Sequence, residues 1–168
     1  MKSFLCVFGA VPLLVLSLMA GCLTEEEASQ IESAESALAA AAETFVAHLT
    51  GANEVSPVDT AAVGQAVVVV TPNNVLHALS VGNIVDVVAA HIHCAPEGAN
   101  GPVGITLFLG GPVGSGNLAN GPLPDPDPGN ACGWVTLDDA IAAMEAGDAY
   151  VNVHTLANLG GEVRGQLR

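Results

Sequence analysis

The feature that most restricts the fold is a series of short β-branched runs that begins at Thr44, each bounded by Gly, Pro or Asn. The runs fall at 44–49, 64–71, 75–81, 87–93, 103–109, 150–155 and 162–167. Val, Ile and Thr are stiff at Cβ and suit a pleated, half-buried surface better than a helical turn. Turn residues at Thr71-Pro72-Asn73-Asn74 and Asn158-Leu159-Gly160-Gly161 stop the runs at strand length. About seven strands over some 125 residues predict an all-β domain, a Greek-key sandwich or barrel. One short helix interrupts the pattern. Leu137, Ile141 and Met144 recur at helical spacing, with Thr136 as N-cap, Asp139 three residues on and Gly147 as the stop. The stretch 110–133, with its Pro124-Asp125-Pro126-Asp127-Pro128 run, is too long for a hairpin turn and reads as a loop, either disordered or functional.

Ahead of this domain the chain carries a different message. Lys2 precedes an apolar run from Phe4 to Ala20, and small residues Ala20 and Gly21 stand before Cys22. This predicts a signal peptide over 1–21. Pro12 and the acidic triplet Glu25-Glu26-Glu27 argue against a permanent membrane span. Leu18-Met19-Ala20-Gly21-Cys22 resembles a lipobox, so Cys22 is expected to carry acyl chains that anchor the protein to a membrane without crossing it. Leu23, where Asp would suggest inner-membrane retention, leans toward the outer membrane or cell surface. Residues 22–43 are rich in Ala and Glu and offer little to bury beyond Ile31 and Leu38, which predicts a tether, partly helical at best.

All 17 acidic residues lie beyond Cys22, where only Arg164 and Arg168 oppose them. Such a charge repels phosphate backbones and anionic headgroups, so nucleic acid is excluded as a partner and membrane attachment falls to the acyl chains on Cys22. Of the four cysteines, Cys6 leaves with the signal and Cys22 is acylated. Cys94 and Cys132 remain, and an even pair in an oxidising compartment predicts a disulfide.

The residues with chemistry to offer are histidines. His91-Ile92-His93 places two imidazoles on one face of a strand and Ile92 on the other. In Tyr150-Val151-Asn152-Val153-His154-Thr155 the same alternation sends Val151 and Val153 inward and His154 outward with Asn152 and Tyr150. If the two strands are neighbours, His91, His93 and His154 converge, and three neutral nitrogen donors suit copper or zinc. The alternative is that the rings only organise structure, bonding to the long loop, Glu97, Glu162 or Asn152. Cys94 has the wrong parity to join His91 and His93. His48 and His77 have no motif around them and read as ordinary surface or core histidines. Asn152, Glu162 and Arg164 are candidate supporting or binding residues, the simpler reading of the last two being an exposed ion pair. No nucleophile with a paired base and no phosphate-cradling glycine motif is evident, which points away from catalysis.

Taken in order, Gly51-Ala52-Asn53-Glu54-Val55-Ser56-Pro57, His91-Ile92-His93, Asn100-Gly101-Pro102-Val103, the segment from Tyr150 to Thr155, and Gly160-Gly161-Glu162-Val163-Arg164-Gly165-Gln166-Leu167 resemble the CHRD domain over residues 44–168. Ser56, Cys94 and Leu159 depart from the family pattern, where Pro, Gly and Pro are usual. The resemblance implies a non-catalytic extracellular module, here a binding or envelope-structural one in an exported lipoprotein. The His-x-His strand, a later histidine and a disulfide-pinned loop also resemble copper/zinc superoxide dismutase. That implies an immunoglobulin-like or superoxide-dismutase-like topology and, as the alternative function, a copper or zinc redox protein. The chain has no evident fourth copper ligand and no separate zinc cluster, so dismutase chemistry rests on analogy alone.

Overall fold

The computed structural model describes residues 24–40 and 42–168. The expected signal peptide and the lipidation at Cys22 lie outside the described residues. Two compact units are distinguished, one ending at Ala42 and one spanning Glu43–Arg168.

In the first unit a single helix, α1, runs from Glu25–Ala40. It is more continuous than a partly helical tether, for two reasons. The segment has no Gly or Pro to interrupt it. A capping box also closes its start, the Thr24 backbone N–H donating to Glu27 Oε2 at 2.9 Å and the Glu27 N–H to Thr24 Oγ1 at 3.3 Å. Residues 25–33 are all exposed, Ile31 included, so helix propensity and the cap sustain this part of α1 without a core.

The second unit is built on one antiparallel sheet. Its strands are β1 (Glu43–Thr50), β2 (Val63–Val70), β3 (Val75–Gly82), β4 (Val87–Cys94), β5 (Val103–Val113), β6 (Gly116–Pro122), β7 (Ala149–Thr155) and β8 (Val163–Gln166). They lie in the order β5-β4-β7-β8-β1-β2-β3-β6. The edge strands β5 and β6 are consecutive in the chain, joined only by Gly114-Ser115, so the ends of the sheet are brought together and it curls into a nearly closed barrel. Closure of this kind leaves little unpaired edge.

The all-β prediction holds, with eight strands in place of seven. The additional strand, β6, comes from the stretch expected to be a loop, and it pairs with β3 from Leu76↔Pro122 to Val81↔Gly116 around a bulge at Leu79/Ser80. Its sequence, Gly-Asn-Leu-Ala-Asn-Gly-Pro, lacks any apolar alternation because an edge strand pairs through its backbone and leaves most side chains in or near solvent. The remainder, after Pro122, is not free either. Thr106 donates its N–H and hydroxyl to the Asp127 carboxylate at 3.1 and 2.6 Å.

Inside the barrel Phe45, Ala47, Leu49, Ala66, Val68, Leu79, Ala90, Ile92, Ile105, Val151, Val153, Val163 and Leu167 form a dry core. Each fully buried Val, Leu or Ile contributes about 1.5–3 kcal/mol. The expected helix, α2 (Leu137–Glu145), packs Ala140 and Met144 against it. Its capping box uses Thr136 and Asp139 as anticipated. It ends in a Schellman motif, with Gly147 at φ 75° and the Asp148 N–H reaching back to the Ala143 carbonyl at 2.8 Å. Cys94 and Cys132 are joined by a disulfide with Cα atoms 5.8 Å apart. Beside it Trp134 lies flat on Gly104, where any Cβ would collide with the indole ring.

Candidate metal centre

Strands β4, β7 and β8 are neighbours, and their register sets three rows of side chains across the face turned away from the core. Ala89 lies opposite His154; His91 opposite Asn152, which is opposite Arg164; His93 opposite Tyr150, which is opposite Gln166. Alternation holds along each strand: Ile92, Val151, Val153, Val163 and Leu167 are fully buried on the inner side.

The outer face is not a solvent face, and here the sequence-based picture needs correction. His93, His154, Asn152 and Arg164 are at most 9% exposed, and His91 is half-buried. Loop segments cross over these strands and are tied to them. Asn53 donates to the Arg164 carbonyl, Arg164 donates to Asn100 Oδ1 and the Pro96 carbonyl, and the Tyr150 hydroxyl bonds with Gly101.

Within that cover the three predicted histidines converge. One ring nitrogen from each lies within 4.8 Å of the other two. Ring centroids are 4.9 Å apart for His91 and His154, 5.6 Å for His91 and His93, and 5.8 Å for His93 and His154. Three atoms so spaced share a point no more than about 2.8 Å from each, so inward movement of under ~1 Å brings them to the 2.0–2.1 Å of a zinc–imidazole bond.

The hydrogen bonds define which nitrogens face that point. His93 Nδ1 lies 3.0 Å from the Gly101 carbonyl oxygen and His154 Nδ1 3.0 Å from that of Leu159. A carbonyl only accepts, so each Nδ1 carries the hydrogen and each Nε2 presents a lone pair. His93 Nε2, His154 Nε2 and His91 Nδ1 are buried and have no protein partner. Backbone carbonyls that fix the tautomer while the other nitrogen is left free are the usual outer support of metal-binding histidines. The expectation that these rings bond to Glu97, Glu162, Asn152 or the long loop is not met. Their carbonyl partners lie in 95–102 and 156–161, and Glu97 pairs with Arg168 instead.

Electrostatics keep the rings neutral. Burial, then the neighbouring His154 and His93, push His91 from 6.5 to about 4. Burial is also the main cause lowering His93 and His154. Neutral imidazoles are the form that binds metal.

Arg164 and Glu162 do not form the exposed ion pair that was the simpler expectation. The Arg164 guanidinium lies 3.4 Å above the Tyr150 ring centroid, and that ring stacks on His93 at 4.8 Å with 8° between planes. Glu162 accepts from Thr60, Thr155 and Asn158 at 2.7, 2.7 and 3.1 Å. Burial opposes its charge, but these three bonds prevail and hold its carboxyl below the usual range. Cys94 stays out of the centre in its disulfide. His48 is exposed, while His77 is buried on β3 with Nδ1 3.2 Å from the Gly121 carbonyl, apart from the other three.

One residue of this face escaped the sequence reading. Glu54, 8% exposed, accepts from Asn152 Nδ2 at 3.3 Å. Burial raises its pKa, while the Asn152 bond and Arg164 pull it back. Its loop position gives no strand parity to read; only the fold reveals that it is buried.

The model of one protein family, the CHRD domain, matches residues 45–167. No curated protein and no solved structure matches the chain.

Proposed function

The chain belongs to the CHRD-domain family, and on that premise we propose that it is an exported, lipid-tethered binding module whose domain holds one copper or zinc ion through His91, His93 and His154. The observation that carries this reading is the set of three buried ring nitrogens without partners, brought within 4.8 Å of one another while backbone carbonyls occupy the far nitrogens of His93 and His154. Leaving three acceptors buried and unbonded is costly, and a metal ion satisfies all three at once. Nitrogen-only donors favour copper or zinc over calcium or magnesium, which take oxygen.

Export and anchoring draw on the apolar segment ahead of Cys22 and on the Cys94–Cys132 disulfide, a bond of oxidising compartments. No described helix is long and apolar enough to cross a membrane. The chain then works as a carrier or envelope module rather than as an enzyme.

The test is metal content after exposing the purified protein to Cu(II) or Zn(II) and desalting. About one equivalent is expected in the natural chain, falling at least tenfold in His91→Ala and His154→Ala. A natural chain that retains neither metal overturns the reading. Copper-dependent redox chemistry is the second reading. It is favoured by the partial exposure of His91, which leaves one side of the centre open to a small molecule. Superoxide consumption by the copper-loaded protein, lost in His91→Ala, distinguishes it.

A further inference from the structure

Two side-chain oxygens on the same face also lack partners: Asn152 Oδ1 and Glu54 Oε1. Their residues are 2% and 8% exposed. Asn152 is the cross-strand partner of His91 and stands two residues before His154 on β7, so its carboxamide borders two of the three rings. The bond from Asn152 Nδ2 to Glu54 Oε2 orients the amide, committing its nitrogen and leaving its oxygen free. Both free oxygens turn toward Gly161. A Cβ there would lie on the Asn152 carboxamide and 2.7 Å from Glu54 Oε1. Gly161 closes the loop whose Leu159 carbonyl orients His154. Two buried acceptors without donors beside three buried lone pairs call for a ligand that brings its own hydrogens.

We propose that Asn152 Oδ1 and Glu54 Oε1 are the outer-sphere acceptors for a water molecule held on the metal at the position the three histidines leave open. This rests on the three-histidine reading. A three-histidine centre completes its tetrahedron with water. Bound through its oxygen, that water has two hydrogens to donate and no need of a donor, which complements two acceptor oxygens. The same pair gives the centre a preference: neutral protic ligands are retained, and small anions are repelled by the Glu54 carboxylate. Of the other charged groups on this face, Arg164 is held by Asn100 and the Pro96 carbonyl, and Glu162 by Thr60, Thr155 and Asn158, so both stay constant when Glu54 or Asn152 is changed.

The experiment uses the purified protein loaded with Co(II), whose visible spectrum reports both the protonation of bound water and the entry of azide. Glu54→Gln is expected to lower the pH midpoint of the spectral change by about one unit and to tighten azide binding about tenfold, because the negative charge facing the ligand is gone. Asn152→Ser, which removes the other acceptor, shifts the midpoint in the same direction by less. Cobalt affinity stays within about threefold in both, as the ligands are untouched. If both variants match the natural chain in midpoint and azide affinity, or if the natural spectrum does not respond to pH, the acceptor role is overturned while the histidine centre stands. Failure of the natural chain to take up cobalt overturns the histidine centre itself. Should Glu54→Gln not fold, the Asn152→Ser midpoint decides.

Discussion

Tyr150 is stacked on His93, with ring centroids 4.8 Å apart and planes 8° from parallel. The contact holds the His93 ring from one side while the Gly101 carbonyl fixes its Nδ1. The hydroxyl of Tyr150 also accepts the Gly101 N–H at 3.1 Å, so one side chain secures both the ring and the loop that orients it.

Removing that side chain should therefore cost more than removing its hydroxyl. Tyr150→Phe keeps the stack and loses a bond to the backbone, for about 1 kcal/mol. Tyr150→Ala leaves a cavity between His93 and Arg164, for about 3–5 kcal/mol. Urea unfolding of both variants checks the order. Equal losses would show that the stack contributes nothing beyond the hydrogen bond.

Lowering the pH should weaken the metal-free domain between about 6.5 and 4. In the unfolded chain His91 takes up a proton near 6.5, in the folded one only near about 4. Across that window the unfolded state binds more protons, so stability is present above it and is lost as pH falls through it. His93 and His154 are shifted in the same direction. Glu54, raised by burial, runs the other way and gains relative stability as it protonates. Three histidines outweigh one carboxyl. A urea midpoint that stays level or rises from pH 7 to 4.5 would refute this.

Gly161→Ala should destabilise the domain and disturb the centre together. The residue sits at φ 125°, which side chains rarely adopt, and its Cβ would fall on the Asn152 carboxamide. Backbone strain alone costs of order 1–3 kcal/mol. The urea midpoint of the metal-free variant and its zinc affinity should drop in parallel; unchanged values for both would show that the loop yields freely.

Cleaving Cys94–Cys132 should lower stability by about 4 kcal/mol in the chain-entropy model, given the 38-residue separation. Trp134 is the only tryptophan and packs on Gly104 next to Cys132 Sγ, so it reports the bond directly. Reduction is expected to brighten its emission while the barrel remains folded. No change in emission would mean that the indole does not sense the sulfurs.

Much of the site was legible because strand parity is a local property. His91 and His93 had to share a face once Ile92 faced the core, and His154 had to oppose Val153. The disulfide followed from counting cysteines. What stayed hidden was the environment of that face. The chain gives no local sign that 51–58, 95–102 and 156–161 cross it, and without them His154, Asn152 and Arg164 read as exposed. Glu54 was missed for that reason, and Arg164 was given the wrong partner. β6 was missed because an edge strand pairs by backbone alone, and Gly-Asn-Leu-Ala-Asn-Gly-Pro carries no alternation to reveal it.

By itself, then, the sequence determined the elements and their inward faces, since β-branched runs, turn residues and helix caps act over a few neighbours. Only the tertiary structure decided that β4 and β7 lie side by side, that loops bury the histidine face, and that three ring nitrogens meet without partners. Those outcomes depend on contacts between residues far apart in the chain, such as His93 with His154 and Glu54 with Asn152, whose free energies exist only once the barrel has closed.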